Sequence, residues 1–168
     1  MKVEVVCGNI VKQPDTEALV NSANANLRLG SGVAGAIHTA AGPALEAFCK
    51  PFAPLELSQA LVTPGFDLPN PWVIHVRAAS YLNHDEPEMV LKDALEAMMA
   101  AAQERGIVSL AMPAIGTGVF RFPPVLAAWI TAQVLKRHAD QDGLSVQWVR
   151  ICVANPEMLS IYAAALET

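Results

Sequence analysis

The sequence predicts an α/β fold in which helices cover both faces of a central sheet. Short apolar segments rich in β-branched residues alternate with longer segments whose apolar residues recur at helical spacing. Hydrophobic residues make up 53% of the 168 residues and charged residues only 16%, which indicates a sheet buried on both faces. Two glycine-rich segments each connect a predicted strand to a predicted helix. We therefore expect one domain over residues 1–168, with a mixed or mostly parallel sheet.

The first half of the chain predicts four strands and two short helices. Residues 2–7 alternate and are β-branched, which predicts a strand that ends at Gly8. Pro43 follows Gly42 and suits the first turn of a helix. The other elements are read from apolar or small-residue runs between turn residues. They are a strand over 17–21, a helix over 33–41, a helix from Pro43 through Cys49, an edge strand over 60–63 and a buried strand over 72–76.

The second half predicts three helices and two strands. The clearest helix covers residues 86–105, with Pro87 near its start and Gly106 just past its end. Its apolar side chains fall on one face, as an amphipathic helix requires. The remaining elements are buried strands over 107–112 and 146–153 and helices over 125–137 and 156–166.

Composition and charge exclude several classes of protein. The net charge of −5 argues against broad contact with nucleic acid, whose backbone requires many Lys and Arg side chains. No apolar run reaches the length that spans a membrane, and the first residues indicate a strand rather than a signal peptide. We expect a cytoplasmic protein that does not bind membranes.

The cysteines and histidines indicate no metal site, and no cofactor is expected. Cys7, Cys49 and Cys152 form no C-x-x-C pair, and their odd number gives no disulfide framework, so reduced thiols are expected. The four histidines have no metal-ligand spacing among themselves or with the cysteines.

Two glycine-rich loops are the strongest functional signal. The first runs over residues 21–35 and the second over residues 113–123. Glycine lets a ligand approach bare N–H groups, and a helix N-terminus behind the loop adds unpaired donors and a positive dipole end. Because ligands collect at the carboxyl ends of strands in such folds, we expect both loops at one edge of the sheet, holding a diphosphate between them.

The first loop matches the dinucleotide fingerprint G-x-G-x-x-G at Gly30, Gly32 and Gly35, but its context argues against that function. The fingerprint belongs in a tight turn directly after a strand, whereas residues 23–30 intervene here, and the acidic residue that should follow is missing. The chain also lacks the G-x-x-x-x-G-K-[ST] motif of P-loop NTPases.

Four side chains near the loops have a structural interpretation beside the functional one. Asn24 can bond its own backbone in a turn, and Thr117 can cap the turn that follows it. His38 and His75 are expected to be satisfied core histidines, because no carboxylate lies at helical spacing to orient His38 and because His75 lies in an apolar strand.

The last residues of the second loop also allow two interpretations. Phe120 and Phe122 suit either the core or an apolar contact with a sugar. Arg121, between them, is either solvated or lies over the phosphates of a ligand.

Taken together, these motifs resemble the macrodomain family of ADP-ribose-binding modules over nearly the whole chain. The segments that carry the resemblance are Gly8-Asn9-Ile10, residues 20–24, residues 32–42, Val73-Ile74-His75 and residues 113–120. The resemblance implies a three-layer α/β/α sandwich with a mixed central sheet. It also implies ADP-ribose, free or attached to protein, as the ligand.

By the resemblance, residues 32–34 would wrap the distal ribose and one phosphate, and residues 116–120 would hold the diphosphate through backbone N–H groups. Asn24 would lie at the distal ribose and serve hydrolysis, and Asn9 with Ile10 would lie at the adenine. The expected ligand-binding residues are Asn9, Ile10, Ala23, Asn24, Gly32, Val33, Ala34, Ile115, Gly116, Thr117, Gly118, Val119 and Phe120.

The chain departs from the family pattern at several of these positions. Asn9 replaces an aspartate, so an acceptor for the adenine amino group remains but lacks a charge. Ala34 stands where one hydrolase subgroup carries an aspartate that helps to position water. Gly116 replaces a common serine and Arg121 a common glycine, and residues 153–155 lack the aromatic side chain that often stacks near adenine.

Three functions follow as expectations. The first is hydrolysis of ADP-ribosyl esters, formed with an aspartate or glutamate of a protein or with acetate. The second is a binding module that reads ADP-ribose without turnover, which Ala34 and the altered second loop favour. The third, binding of RNA or poly(ADP-ribose), is disfavoured by the acidic balance. We expect a monomer whose partner is ADP-ribose or an ADP-ribosylated protein.

Overall fold

The computed structural model describes all 168 residues and contains six strands, five α-helices and one short 3-10 turn. The strands, β1 to β6, are Lys2–Cys7, Ala18–Ser22, Ala60–Pro64, Trp72–Val76, Ser109–Pro113 and Trp148–Val153. The helices, α1 to α5, are Gly32–Ala41, Pro43–Cys49, Pro87–Arg105, Pro124–Ala139 and Pro156–Glu167. Every predicted element is present. The 3-10 turn Lys50–Phe52, which follows α2, was not predicted.

The six strands form one sheet in the order β1-β6-β5-β2-β4-β3. Every neighbouring pair is parallel except β3 and β4, so the sheet is mixed and β3 is the edge strand that the sequence predicts. Because the other strands run in one direction, the carboxyl ends of β1, β6, β5, β2 and β4 all lie at the same edge of the sheet.

Alternate side chains of each strand enter two separate cores. On one face, residues such as Val20, Ile74 and Leu110 pack with helices α3, α4 and α5. On the other face, Leu19 and Val73 pack with helices α1 and α2. The molecule is therefore a three-layer α/β/α sandwich, as the resemblance implies.

His75 in β4 is a satisfied core histidine, as predicted. Its side chain is fully buried, Asn21 Nδ2 donates to its Nδ1 at 3.0 Å, and its Nε2 lies 2.9 Å from Thr63 Oγ1. Burial, with a smaller contribution from His38, lowers the pKa of His75 to about 3. The ring is therefore neutral, and side chains of the two neighbouring strands, β2 and β3, fix its orientation.

His38, in the last turn of α1, contradicts part of the prediction. Its side chain is buried, with 3% of its surface exposed, but neither ring nitrogen has a hydrogen-bond partner. The ring borders a cavity, and no polar group of the core lies within hydrogen-bond distance of its nitrogens.

No helix combines the length and the hydropathy that crossing a bilayer requires. None of the three cysteines is paired in a disulfide, and Cys7 is exposed whereas Cys49 and Cys152 are buried. No three side chains of His, Cys, Asp or Glu are grouped closely enough to hold a metal ion.

Candidate ligand-binding cleft

A cleft of about 440 Å³ lies at the edge of the sheet where the parallel strands end. Strands β2, β5 and β6 are neighbours, so the segments that follow them meet at this edge and form its walls. The residues that line the cleft are Ser22, Asn24, residues 30–34, Pro113, Ala114, residues 116–120, residues 152–154 and Met158. The expectation that both glycine-rich loops lie together is confirmed.

The first wall presents the N-terminus of α1. Ser31 precedes the helix but makes no capping hydrogen bond with its side chain. The main-chain N–H groups of Gly32, Val33 and Ala34 accordingly have no acceptor within the protein. These donors, together with the positive end of the helix dipole, favour an anion at this wall.

Asn24, in the loop that precedes this helix, is fixed by the main chain of Arg28. Its Oδ1 accepts from Arg28 N at 2.9 Å, and its Nδ2 donates to Arg28 O at 2.6 Å. The structural interpretation of Asn24 is therefore correct, and the side chain also lines the cleft. Each amide atom keeps one further hydrogen-bonding position, since Nδ2 has a second hydrogen and Oδ1 a second lone pair.

The second wall is the loop after β5, and it also presents free main-chain donors. The N–H groups of Gly116, Gly118, Val119 and Phe120 have no acceptor within the protein. Gly116 has a φ of 93°, and a Cβ atom there would lie 2.9 Å from the ring of Phe122, so this position requires glycine. Consecutive N–H groups in such a turn form a concave site for anions.

Thr117, in the same loop, stabilises the turn before it rather than the turn after it. Its Oγ1 donates to Ala114 O at 2.8 Å. The prediction that Thr117 caps the following turn is therefore wrong, because its hydroxyl is bonded to a carbonyl of the preceding turn.

The aromatic residues of this loop have separate roles. Phe122 is buried, packs against Tyr81 and belongs to the core. Phe120 is half-buried and lines the cleft, where it suits an apolar contact with a sugar. Arg121 is exposed, has a φ of 63° and does not line the cleft, which favours the solvated interpretation.

No charged side chain lines the cleft. Its only titratable group is the thiol of Cys152, and burial raises the pKa of that thiol to about 11, so it is uncharged at neutral pH. The groups of the cleft that favour an anion are therefore uncharged donors, chiefly the main-chain N–H groups of the two walls.

Most of the ligand-binding residues predicted from the sequence line the cleft. These are Asn24, Gly32, Val33, Ala34, Gly116, Thr117, Gly118, Val119 and Phe120. Ala23 and Ile115 are buried beneath the two loops, and Ile10 packs in the core of the α1 and α2 layer.

Asn9 lies beyond the cleft, just after the carboxyl end of β1. Its Oδ1 accepts from Val11 N at 3.1 Å, and the adjacent Gly8 N donates to the carbonyl of Val153, which does line the cleft. Asn9 is thus next to the β6 end of the cleft.

The predicted ligand-binding residues include none from β6 or α5, although the resemblance relates residues 153–155 to the adenine. Cys152, Val153, Ala154 and Met158 line the cleft because β6 lies beside β5, an order that spacing along the chain does not reveal. Asn155 supplies a usable signal, since it caps α5 by accepting from Met158 N at 2.9 Å and so brings Met158 to the sheet edge. Five other lining residues were not predicted, but they lie close to predicted residues along the chain. They are Ser22, Gly30, Ser31, Pro113 and Ala114.

Fold and cleft together define a three-layer α/β/α domain with main-chain donors at the carboxyl edge of a mixed sheet. The chain belongs to the macrodomain family, since residues 20–131 match the family model of the Macro domain.

Relatives and a solved structure extend the similarity to almost the whole chain. O-acetyl-ADP-ribose deacetylase 1 from Pantoea vagans is 32% identical, and the aligned region covers 98% of this chain and 98% of that protein. Human ADP-ribose glycohydrolase MACROD2 is 35% identical over 90% of this chain and 36% of its own length. The structure of the Oceanobacillus iheyensis macrodomain with ADP is 29% identical and superimposes with a TM-score of 0.91 over 98% of this chain and 90% of that one.

Proposed function

We propose that the protein binds ADP-ribose in the cleft and hydrolyses esters formed on its distal ribose. The observation that carries the proposal is the set of unpaired main-chain donors along both walls of a cleft without charged side chains. A diphosphate suits such donors, because it accepts several hydrogen bonds and gains from a helix N-terminus. The names of the deacetylase and glycohydrolase relatives support the same ligand.

The diphosphate is proposed to lie between the two walls. One phosphate accepts from the amides of residues 32–34, and the main-chain N–H groups of Gly118, Val119 and Phe120 hold the other phosphate. A Cβ atom on Gly118 would meet nothing within 4 Å, which leaves open space beside this wall. The half-buried ring of Phe120 contacts the distal ribose.

The catalytic role is proposed for Asn24. Its hydrogen bonds to Arg28 fix the orientation of the side-chain amide before a ligand arrives. The second N–H and the second lone pair then orient a ribose hydroxyl and the attacking water. This arrangement lowers the barrier by positioning rather than by proton transfer from the protein.

The reaction is ester hydrolysis without a charged group of the protein at the reacting atoms. Water adds to the ester carbon, the bond to the ribose oxygen breaks, and a carboxylic acid and a ribose hydroxyl are released. A phosphate oxygen of the ligand takes a proton from the water and returns it to the departing ribose oxygen, since no side chain of the cleft is a base at neutral pH. The main-chain donors hold the diphosphate rigidly enough for this assistance.

The adenine end is proposed to lie toward β6 and the end of β1. Asn9 accepts from the adenine amino group through the free lone pair of Oδ1, without the charge-assisted strength of a carboxylate. Met158 and Val153 provide apolar contact for the base in place of an aromatic ring. Ile10, Ala23 and Ile115 support the loops from beneath.

The second candidate is a module that binds ADP-ribose without turnover. The cleft contains no general base, and Ala34 offers no carboxylate to position water. Both observations fit a reader as well as they fit a positioning mechanism.

The test measures binding and turnover on the same protein. ADP-ribose is titrated by calorimetry, and release of ADP-ribose is followed from O-acetyl-ADP-ribose and from a protein modified on glutamate. A protein modified on arginine, whose bond to ribose is not an ester, is the control substrate. We expect binding and release from both esters only. Binding without release over hours identifies the reader, and no binding below millimolar concentration contradicts both functions.

Several wider properties also belong to the proposal. The chain acts as one domain and as a monomer, and its unpaired cysteines fit a reducing, cytoplasmic setting. Its partner is ADP-ribose or an ADP-ribosylated protein, and the net charge of −5 argues against nucleic acid.

A further inference from the structure

A second cavity, of about 780 Å³, lies between helices α1 and α2 and the loop that carries Asn24. It shares no lining residue with the cleft described above. Its size is within the range of sites for small molecules.

The charged side chains of this cavity carry an excess of positive charge. Arg28 and Lys50 line it, and neither side chain makes a salt bridge. Glu46 is the only carboxylate among the lining residues, and its Oε2 already accepts from Leu29 N at 2.8 Å.

A buried imidazole also forms part of the wall of this cavity. His38 lines the cavity and is only 3% exposed, and both of its ring nitrogens are covered from solvent. The ring therefore borders a ligand through its carbon atoms. The hydroxyl of Thr39, the next residue of α1, lies in the same wall.

We propose that this cavity is a second binding site, which takes the oxyanion of a small molecule that carries a phosphate or a carboxylate. Arg28 and Lys50 supply the charge, and the exposed hydroxyl of Thr39 supplies a hydrogen bond. The site is independent of the cleft, so it stands even if the protein does not bind ADP-ribose.

The test titrates inorganic phosphate, and separately succinate, into isotope-labelled protein that carries Gly118→Glu, a change expected to keep anions out of the cleft. Chemical shifts are followed for the ring of His38 and for all main-chain amides. We expect saturable shifts at His38, Thr39 and residues 28–29. The anion that binds more tightly identifies the group.

Matched variants decide whether the two cations carry the binding. Arg28→Ala together with Lys50→Ala is expected to weaken the affinity at least about tenfold, since each removes a charge-assisted contact. Lys92→Ala, which removes an exposed lysine of α3, is expected to change nothing. Shifts confined to residues 116–120, equal weakening by Lys92→Ala, or no saturation with either anion would overturn the proposal.

Discussion

Gly118 occupies a position where a side chain fits the protein but would collide with the phosphate that we propose to bind there. A Cβ atom there would contact no other atom within 4 Å, and the residue lines the cleft. Gly118→Glu places a carboxylate at the proposed position of the diphosphate, and a close like-charge contact costs several kcal/mol. We expect ADP-ribose affinity measured by calorimetry to fall at least about 100-fold.

Gly118→Ala is the matched control, because it adds a methyl group without charge. We expect this variant to fold and to bind within about tenfold of the wild type. If Gly118→Glu folds and binds normally, the loop after β5 does not hold the phosphates.

Asn24 has a structural role, in its hydrogen bonds to Arg28, and a proposed role in hydrolysis. Asn24→Ala removes the amide that is proposed to orient the ribose and the water, so release of ADP-ribose from a glutamyl-modified protein should fall at least about tenfold. Binding should be largely kept, because the main-chain donors remain. The loss of two exposed hydrogen bonds to Arg28 should be visible as a small decrease in Tm.

Asn26→Ala is the control for this experiment. Asn26 lies in the same loop and is exposed, but it does not line the cleft. Turnover by Asn26→Ala should equal that of the wild type. Unchanged turnover in Asn24→Ala would remove Asn24 from the mechanism.

At the scale of the element, the start of α1 depends on close contact between the helix and the loop before it. A Cβ atom on Gly35 would lie 2.3 Å from the carbonyl oxygen of Gly30. Gly35→Ala would ordinarily stabilise a helix by about 0.5–1 kcal/mol. Here the clash should reverse the sign, lower the free energy of unfolding by about 1–3 kcal/mol, and weaken ADP-ribose binding by displacing residues 30–34.

Thr39→Ala, on the exposed side of the same helix, separates the effect of helix propensity from the effect of the clash with Gly30. Only propensity acts there, so urea unfolding should show a gain of a few tenths of a kcal/mol. A Gly35→Ala protein that is more stable than the wild type would show that the loop and the helix are not in contact as described.

The elements themselves could be predicted because their signals are local. The alternation of residues 2–7 and the Pro87 and Gly106 boundaries of α3 depend only on neighbouring residues. The order of the strands depends on contacts between distant segments, so the place of β6 beside β5 could not be predicted. That is why Met158 and Cys152 were missing from the predicted site, whereas the two glycine-rich loops were found.

The whole molecule should lose stability in mild acid because of a histidine in the middle of the sheet. His75 stays neutral in the folded protein down to a pKa of about 3, whereas in the unfolded chain it binds a proton near pH 6.5. Between these values the unfolded state binds the additional proton, so the free energy of unfolding falls as pH falls. The expected loss from His75 by pH 5 is about 2 kcal/mol.

Urea unfolding at pH 7 and pH 5 checks this prediction. His75→Gln should be less stable than the wild type at pH 7, since it disturbs the contacts with Asn21 and Thr63. Its stability should nevertheless depend less on pH. Equal slopes for the two proteins would mean that His75 titrates alike in the folded and unfolded states.

We propose that main-chain donors of two loops bind the diphosphate of ADP-ribose without help from any charged side chain. A crystal structure of the protein soaked with ADP-ribose tests it most directly. We expect one phosphate within hydrogen-bond distance of the amides of residues 32–34 and the other within that distance of Gly118, Val119 and Phe120. ADP-ribose bound elsewhere, or a diphosphate held by arginine or lysine side chains with those amides unused, would contradict the claim.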